Sequence, residues 1–152
     1  MRRIVVIACL LMLCFGTSVV NAADVTADLL EKYQDMQYST EAGITKVDYD
    51  RKYRELYIAT QKAQGKIPQE TYDKFSSALR SYDNASTIWN TPGQMFRFNE
   101  VKPYVDEPEY FKVSMVNDVF GRYYKDDIVQ YLFRESNDKT RALTKEIQKE
   151  SK

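Results

Sequence analysis

The 152-residue chain contains no histidine, only two cysteines, and equal numbers of basic and acidic side chains. Without histidine, the common haem bundles and the di-iron sites built from Glu-x-x-His pairs are excluded, and serine nucleophiles lack their usual base. The charge balance gives no reason to expect a nucleic-acid or anionic-lipid partner. The sequence contains no Gly-rich loop of the kind that binds nucleotide phosphates.

Residues 1–23 are predicted to be a signal peptide. Arg2 and Arg3 precede an apolar run over residues 4–15, and small residues around Ala22 provide a cleavage site. The run of about 12 residues is shorter than the roughly 20 that cross a bilayer, so a retained anchor is the weaker alternative. A lipoprotein-like cleavage box ends at Cys9, but the apolar segment before it is too short for a lipoprotein signal, so lipidation of Cys9 is not favoured. We therefore expect export to the periplasm or the cell exterior.

Removal of the signal leaves a single predicted domain over residues 24–152. Both cysteines are lost with the signal, and 20 basic side chains remain against 22 acidic ones, a net charge of −2. The domain therefore enters an oxidising compartment with no disulfide, and its stability depends on a packed core.

Helix one is predicted over residues 26–42, where Gly43 supplies a left-handed terminating residue. Its inner stripe consists of Leu29, Leu30, Tyr33, Met36 and Thr40. Helix two follows at once, because Thr45 can cap its first turn by accepting from the amide of Asp48. Tyr49, Tyr53, Leu56, Thr60 and Ala63 form the inner stripe of helix two, which ends at Gly65. The short corner makes the two helices antiparallel neighbours.

Helix three shows the clearest periodicity in the chain. It begins at Pro68, whose fixed φ suits a first helical position, and it runs to Asn90. Its apolar side recurs in steps of three and four at Tyr72, Phe75, Leu79, Tyr82, Ser86 and Trp89. Trp89 is expected to fill a large space near the end of this helix.

A long aromatic-rich connection over residues 93–112 follows helix three. Pro103 and Pro108 interrupt its apolar residues at spacings that suit neither a long helix nor a paired strand. We expect so many aromatic residues to be shielded from solvent. The connection is therefore expected to lie along one end of the bundle as a lid.

Helix four is predicted from Ser114 onward, with Val116, Phe120, Tyr123, Tyr124 and Tyr131 on its inner face. Val129 and Phe133 project away from that face and need cover from the connection or from another molecule. Charges dominate residues 136–152, which predict a solvated terminal helix that frays. The predicted fold is all-α, an up-and-down four-helix bundle.

Asp127 is the candidate buried acid. On a straight helix it shares a face with Phe120, Tyr123 and Tyr131, a setting that would raise its pKa and suit a general acid. Two structural alternatives remain open: a bend at Gly121 that turns Asp127 to water, or burial with a tyrosine or arginine partner.

Metal and cofactor sites are not expected. Asp106, Glu107 and Glu109 could offer oxygens to calcium or magnesium, but they match no ligand spacing and favour a solvated acidic turn. Nothing in the sequence indicates a cofactor.

Two segments carry a resemblance to other proteins. Gly43-Ile44-Thr45-Lys46-Val47-Asp48-Tyr49 and Tyr82-Asp83-Asn84-Ala85-Ser86-Thr87-Ile88-Trp89 lie on either side of helices two and three. With residues 30–90 as a whole, they resemble a loose group of small exported bacterial helical proteins of unassigned function. The resemblance implies bacterial export and a helical fold, and it brings no activity or site residue.

The leading functional hypothesis is a non-enzymatic interaction module that binds another envelope or secreted protein, or a second copy of itself. Its candidate surface combines the connection with the outer side of helix four: Phe96, Phe98, Tyr104, Tyr110, Val129 and Phe133. The alternatives are a carrier of small apolar or aromatic ligands with a pocket near Trp89, and an enzyme that uses carboxylates such as Asp127.

Overall fold

The computed structural model describes residues 21–150, which form six α-helices, a short 3-10 helix and one two-stranded antiparallel sheet. The helices are α1 (Ala22–Glu41), α2 (Lys46–Ala63), α3 (Gln69–Asn90), α4 (Phe98–Val101), α5 (Pro108–Ser114) and α6 (Lys125–Glu150). The strands are β1 (Met95–Arg97) and β2 (Arg122–Tyr124), and the 3-10 helix is Lys102–Tyr104. Residues 1–20, with most of the predicted signal peptide and Cys9, lie outside the described residues, so cleavage and export stay predictions.

The chain is mostly helical, and its first three helices end within a few residues of their predicted bounds. The hydroxyl of Thr45 accepts from the amide of Asp48 at 3.2 Å, which is the predicted cap of α2. Gly43 and Gly65 adopt φ of +87° and +72° after α1 and α2, conformations that a side chain disfavours. Local chemistry therefore sets these helix ends.

The four long helices contact one another in a closed order: α1 contacts α2 and α6, and α3 contacts α2 and α6. Tyrosine hydroxyls also link helices across the core, α1 to α3 and α2 to α3. The Tyr33 hydroxyl donates to the carbonyl oxygen of Phe75 at 2.8 Å, and the Tyr49 hydroxyl donates to that of Tyr82 at 2.6 Å. Burial raises the pKa of Tyr33 and of Tyr49 well above the ordinary value. Most of the predicted inner stripes of α1, α2 and α3 are buried here.

The second half of α6 forms the predicted terminal helix, but its inner face is buried and not solvated. α6 runs unbroken to Glu150, and Ser136, Asn137, Thr140 and Leu143 are buried. The side-chain oxygen of Asn137 accepts from the hydroxyls of Tyr82 at 2.8 Å and Thr40 at 3.1 Å. The hydroxyls of Ser136 and Thr140 instead donate to carbonyl oxygens of α6 itself. All three buried polar side chains are therefore satisfied, which allows a partly polar inner face to be buried.

The structure also differs from the predicted connection over residues 93–112 and from the predicted start of helix four. β1 and β2 pair with Phe96 opposite Tyr123, so part of the connection is sheet. The prediction of a helix from Ser114 is wrong, because α6 begins only at Lys125. Gly121, at φ +70°, turns the chain into β2. As a result Val116 and Phe120, predicted to face inward, are exposed, and so is half of Tyr124.

Candidate functional site

Val129 and Phe133, the predicted outer surface of helix four, are core residues, each only 2% exposed. The ring of Phe133 lies 5.1 Å from that of Tyr49 and 5.6 Å from that of Trp89, measured between centroids. The prediction that these two side chains lie outside the core is wrong. The late start of α6 changes which face of the helix meets α2 and α3.

The aromatic residues of the connection are divided between core and surface. Phe96 is buried on β1, Phe98 and Tyr104 are half-buried, and Tyr110 is exposed. The ammonium of Lys112 lies 5.3 Å from the ring centroid of Phe98. Only Tyr110 therefore presents most of its side chain to a partner, and the predicted six-residue surface does not form as one patch.

Trp89 packs against the protein itself. Its indole lies 5.4 Å from the ring of Tyr49, in addition to its contact with Phe133. A surface cleft of about 370 Å³ lies nearby between α2 and α3, lined by Asp50, Tyr53, Arg54, Tyr57, Ser86 and Asn90. These are mainly polar residues that do not include Trp89, so no observation here supports an apolar ligand carrier.

Asp127 is exposed in the first turn of α6, and the prediction of a buried acid at this position is wrong. The cause is the turn at Gly121 together with β2, which separates Asp127 from the face of Phe120 and Tyr123. Of the two structural alternatives, the structure therefore shows the first, in which Asp127 faces water. An acid in the first turn also interacts favourably with the positive end of the helix dipole.

The half-buried acid of α6 is instead Glu135, which the sequence analysis did not single out. One carboxylate oxygen, Oε1, accepts from the amide of Asp106 at 3.0 Å. The other, Oε2, is buried without a hydrogen-bond partner among the described residues. Burial, followed by the nearby carboxylate of Asp106, raises the pKa of Glu135. In the sequence, Glu135 follows Tyr131 by four residues, which puts both on one side of a helix. That spacing indicates partial burial only once the face of α6 that packs on the core is known.

Exposed apolar side chains concentrate in a different place, the segment of residues 113–120 between α5 and β2. Val119 is 93% exposed, Val116 81% and Phe120 75%, and Val113 is equally open. Together with Tyr110 and Tyr124 beside them, they outnumber the large exposed apolar residues on the rest of the described chain. The 113–120 segment is therefore the main uncovered apolar surface of residues 21–150.

The side chain of Asp118 holds the end of this segment in one conformation. Its Oδ1 accepts from the amides of Phe120 at 2.9 Å and Arg122 at 2.8 Å, and its Oδ2 accepts from the Arg122 guanidinium at 2.7 Å. The amide of Gly121 donates to the carbonyl oxygen of Asp118 at 2.9 Å. Burial would raise the pKa of Asp118, but these bonds from Arg122 and Phe120 outweigh it and hold the pKa below its usual range.

This closed turn keeps the side chains of Val119 and Phe120 outside the fold. Both side chains are exposed, and the guanidinium of Arg122, which is paired with Asp118, lies 5.0 Å from the ring centroid of Phe120. The arrangement offers a pre-ordered apolar projection with an ion pair behind it, a feature suited to contact.

Residues 21–150 contain neither a metal-binding cluster nor a helix suited to cross a membrane. No group of three or more acidic, cysteine or histidine side chains within that range could hold a metal ion. None of the helices described there has the length and apolarity that crossing a membrane requires.

Comparison of the chain with protein-family models, with curated proteins and with solved structures finds no match in any of the three.

Proposed function

We propose that the protein is a non-enzymatic interaction module of the periplasm or cell exterior, which binds a partner protein through the 113–120 segment. The observation that carries the proposal is the exposure of Val116, Val119 and Phe120 on a turn that Asp118 fixes. Concentrated apolar surface on an otherwise polar exterior is typical of a protein-binding site.

The partner is expected to carry an apolar pocket. Transfer of a valine or phenylalanine side chain from water into such a pocket contributes about 1.5–3 kcal/mol for each residue. Because Asp118 already orders the turn, binding loses little backbone entropy, which leaves more of this free energy for affinity. Phe120 and Val119 are thus the expected main contributors.

In this proposal the long helices α1, α2, α3 and α6 act as an up-and-down bundle that holds the segment in place. β2 joins the 113–120 segment directly to α6, and its residue Tyr123 is buried against Phe111 at 5.0 Å between ring centroids. Both ends of the segment are therefore tied to the core. A rigid base of this kind favours recognition by a fixed shape.

The test places a photo-crosslinking residue, p-benzoyl-phenylalanine, at position 119 in cells that express the full chain. The matched control carries the same residue at Val47, which is 80% exposed at the start of α2. We expect a discrete protein adduct from position 119 and none from position 47. Equal adduct patterns at both positions, or lipid adducts alone, would contradict the proposal.

A second arm asks whether the apolar side chains themselves bind. Phe120→Ser is combined with the crosslinker at position 116, and the adduct is expected to disappear while the circular dichroism spectrum is unchanged. An adduct at twice the mass of the chain identifies the partner as a second copy. Persistence of the adduct in the Phe120→Ser chain would show that the segment only passes near another protein.

A further inference from the structure

A series of aromatic rings leads from the core to the surface beside α2. The indole of Trp89 lies 5.4 Å from the ring of Tyr49, and the ring of Tyr53 lies 6.3 Å from Tyr49, almost parallel to it. Tyr57 continues the series at 6.4 Å from Tyr53, and its side chain is 47% exposed. These distances join ring centroids. Rings this close exchange electrons readily, so the series connects the partly buried indole with solvent.

The hydroxyl of Tyr53 differs from the other tyrosine hydroxyls in its hydrogen-bond acceptor. It donates to a carboxylate oxygen, Oδ1 of Asp83, at 2.5 Å. The hydroxyls of Tyr33, Tyr49 and Tyr82 donate instead to carbonyl or amide oxygens. Such oxygens are too weakly basic to take a proton from a phenol, whereas a carboxylate can hold one. Of the tyrosine hydroxyls that have hydrogen bonds within residues 21–150, only that of Tyr53 donates to a base.

This pair is prepared for loss of a proton together with an electron. Burial, followed by the hydrogen bond to Asp83, raises the pKa of Tyr53. The phenol therefore keeps its proton at neutral pH until an electron leaves the ring, which turns the phenol into a strong acid. Asp83 is exposed on α3, so a proton that it receives can pass on to water.

We propose that Tyr53 is the site at which one-electron oxidants, such as the carbonate radical, modify this protein, with Asp83 as the proton acceptor. The other core tyrosines donate to neutral oxygens, which makes their oxidation less favourable. Trp89 is the entry point, because indoles lose an electron readily and this one is partly exposed. The site does not depend on the function of the 113–120 segment.

The reaction balances in two steps. The oxidant takes one electron from Trp89 and is reduced, and the indole N–H proton passes to water. Trp89 then takes one electron from Tyr53 across Tyr49 and regains a proton from water. In Tyr53 the O–H bond breaks, its proton forms an O–H bond with Asp83, and a neutral phenoxyl radical remains. Trp89 is thus restored, and the oxidation is left on Tyr53.

The test is pulse radiolysis of the full chain with the azide radical, which oxidises tryptophan faster than tyrosine. Because the chain contains one tryptophan, the indolyl absorption reports on Trp89 alone. We expect this absorption to decay as the phenoxyl absorption rises, at a rate independent of protein concentration. A rate proportional to protein concentration, or no phenoxyl radical, overturns the proposal.

Variants locate the radical. Tyr53→Phe keeps the ring and should abolish the coupled rise of the phenoxyl absorption. Asp83→Asn keeps a hydrogen-bond acceptor but removes the base, and it should slow the conversion by about a hundredfold. The matched control is Tyr57→Phe, which removes a hydroxyl without a hydrogen bond to the described residues and should leave the rate unchanged. Unchanged conversion in Tyr53→Phe or Asp83→Asn, or equal loss in Tyr57→Phe, overturns the assignment.

Peptide mapping of the unmutated chain covers the case in which a variant fails to fold. After a low dose of carbonate radical, mass spectrometry compares oxidation at Tyr53, which is half-buried, with oxidation at Tyr110, which is 59% exposed. Tyr53 should be the more heavily modified despite its lower exposure. Modification that follows exposure, with Tyr110 above Tyr53, overturns the proposal.

Discussion

Burial of a single acid in this protein is decided by helix register. Asp127 and Glu135 stand in the same helix, yet Asp127 is exposed in the first turn and Glu135 is half-buried beside Asp106 and Glu107. The sequence shows both as acids near tyrosines. Burial, followed by the carboxylate of Asp106, which arrives from a distant part of the chain, raises the pKa of Glu135.

Glu135 should make the stability of the protein depend on pH. Burial and Asp106 raise its pKa, with Glu107 adding to the shift and Lys139 opposing it. The folded chain therefore keeps the proton where the unfolded chain has released it. This contribution is fully present below the unfolded pKa and is lost as the pH rises through the folded pKa.

The first prediction compares wild type with Glu135→Gln by urea denaturation. Between about pH 4 and pH 8 the free energy of unfolding of the wild type should fall relative to the variant, and the fall should be modest because the group is partly solvated. Glu109→Gln serves as the control and should show no such trend. A constant difference between wild type and Glu135→Gln across this range would contradict the raised pKa.

Among the elements, the start of α6 departs most from the prediction, because residues 115–124 form a turn and β2 and not the predicted helix. Gly121 allows it, since its φ of +70° is open to glycine and strained for most other residues. A methyl group built at Gly121 would meet no atom within 4 Å. Any destabilisation by a small side chain must therefore come from the backbone conformation.

The second prediction is that Gly121→Ala lowers the free energy of unfolding by about 1 kcal/mol. Gly121→Asn is the matched comparison, and it should cost less because asparagine enters the left-handed region more readily. Both are measured by chemical denaturation at one pH. An alanine variant as stable as wild type would mean that the turn does not require a positive φ in solution.

Across the whole molecule, aromatic rings join elements that are distant in the chain. Phe133 of α6 contacts Tyr49 of α2 and Trp89 of α3, so one side chain ties three helices together. The sequence pattern predicts Phe133 on an outer surface. Its burial leaves the 113–120 segment as the main uncovered apolar surface of the described residues.

The third prediction sets a buried position against an exposed one. Phe133→Ala should lower the free energy of unfolding by about 3–5 kcal/mol, because it removes a buried ring and leaves a cavity. Val119→Ser should change it by no more than about 0.5 kcal/mol, as expected for an exposed side chain. Thermal or urea denaturation of the two variants decides the matter, and similar losses in both would contradict the placement of these residues.

The sequence alone determined the features that depend on near neighbours. The end of α1 and both ends of α2 follow from Gly43, Thr45 and Gly65, and the inner stripes of α1, α2 and α3 follow from the helical period. The lack of histidine likewise excluded whole classes of metal and nucleophile chemistry without any coordinates. Each of these rests on residue identity or on spacings of three and four, which a single segment contains in full.

The tertiary structure alone decided the second half of the chain. A pair of three-residue strands is too short to show an alternating pattern, and the buried face of α6 is polar at Ser136, Asn137 and Thr140. Phe96 and Asn137 are buried by partners on other elements, Tyr123 for the first and Tyr82 for the second. Their burial could not be predicted because it is a property of long-range pairing, and the exposure of the 113–120 segment is what that pairing leaves uncovered.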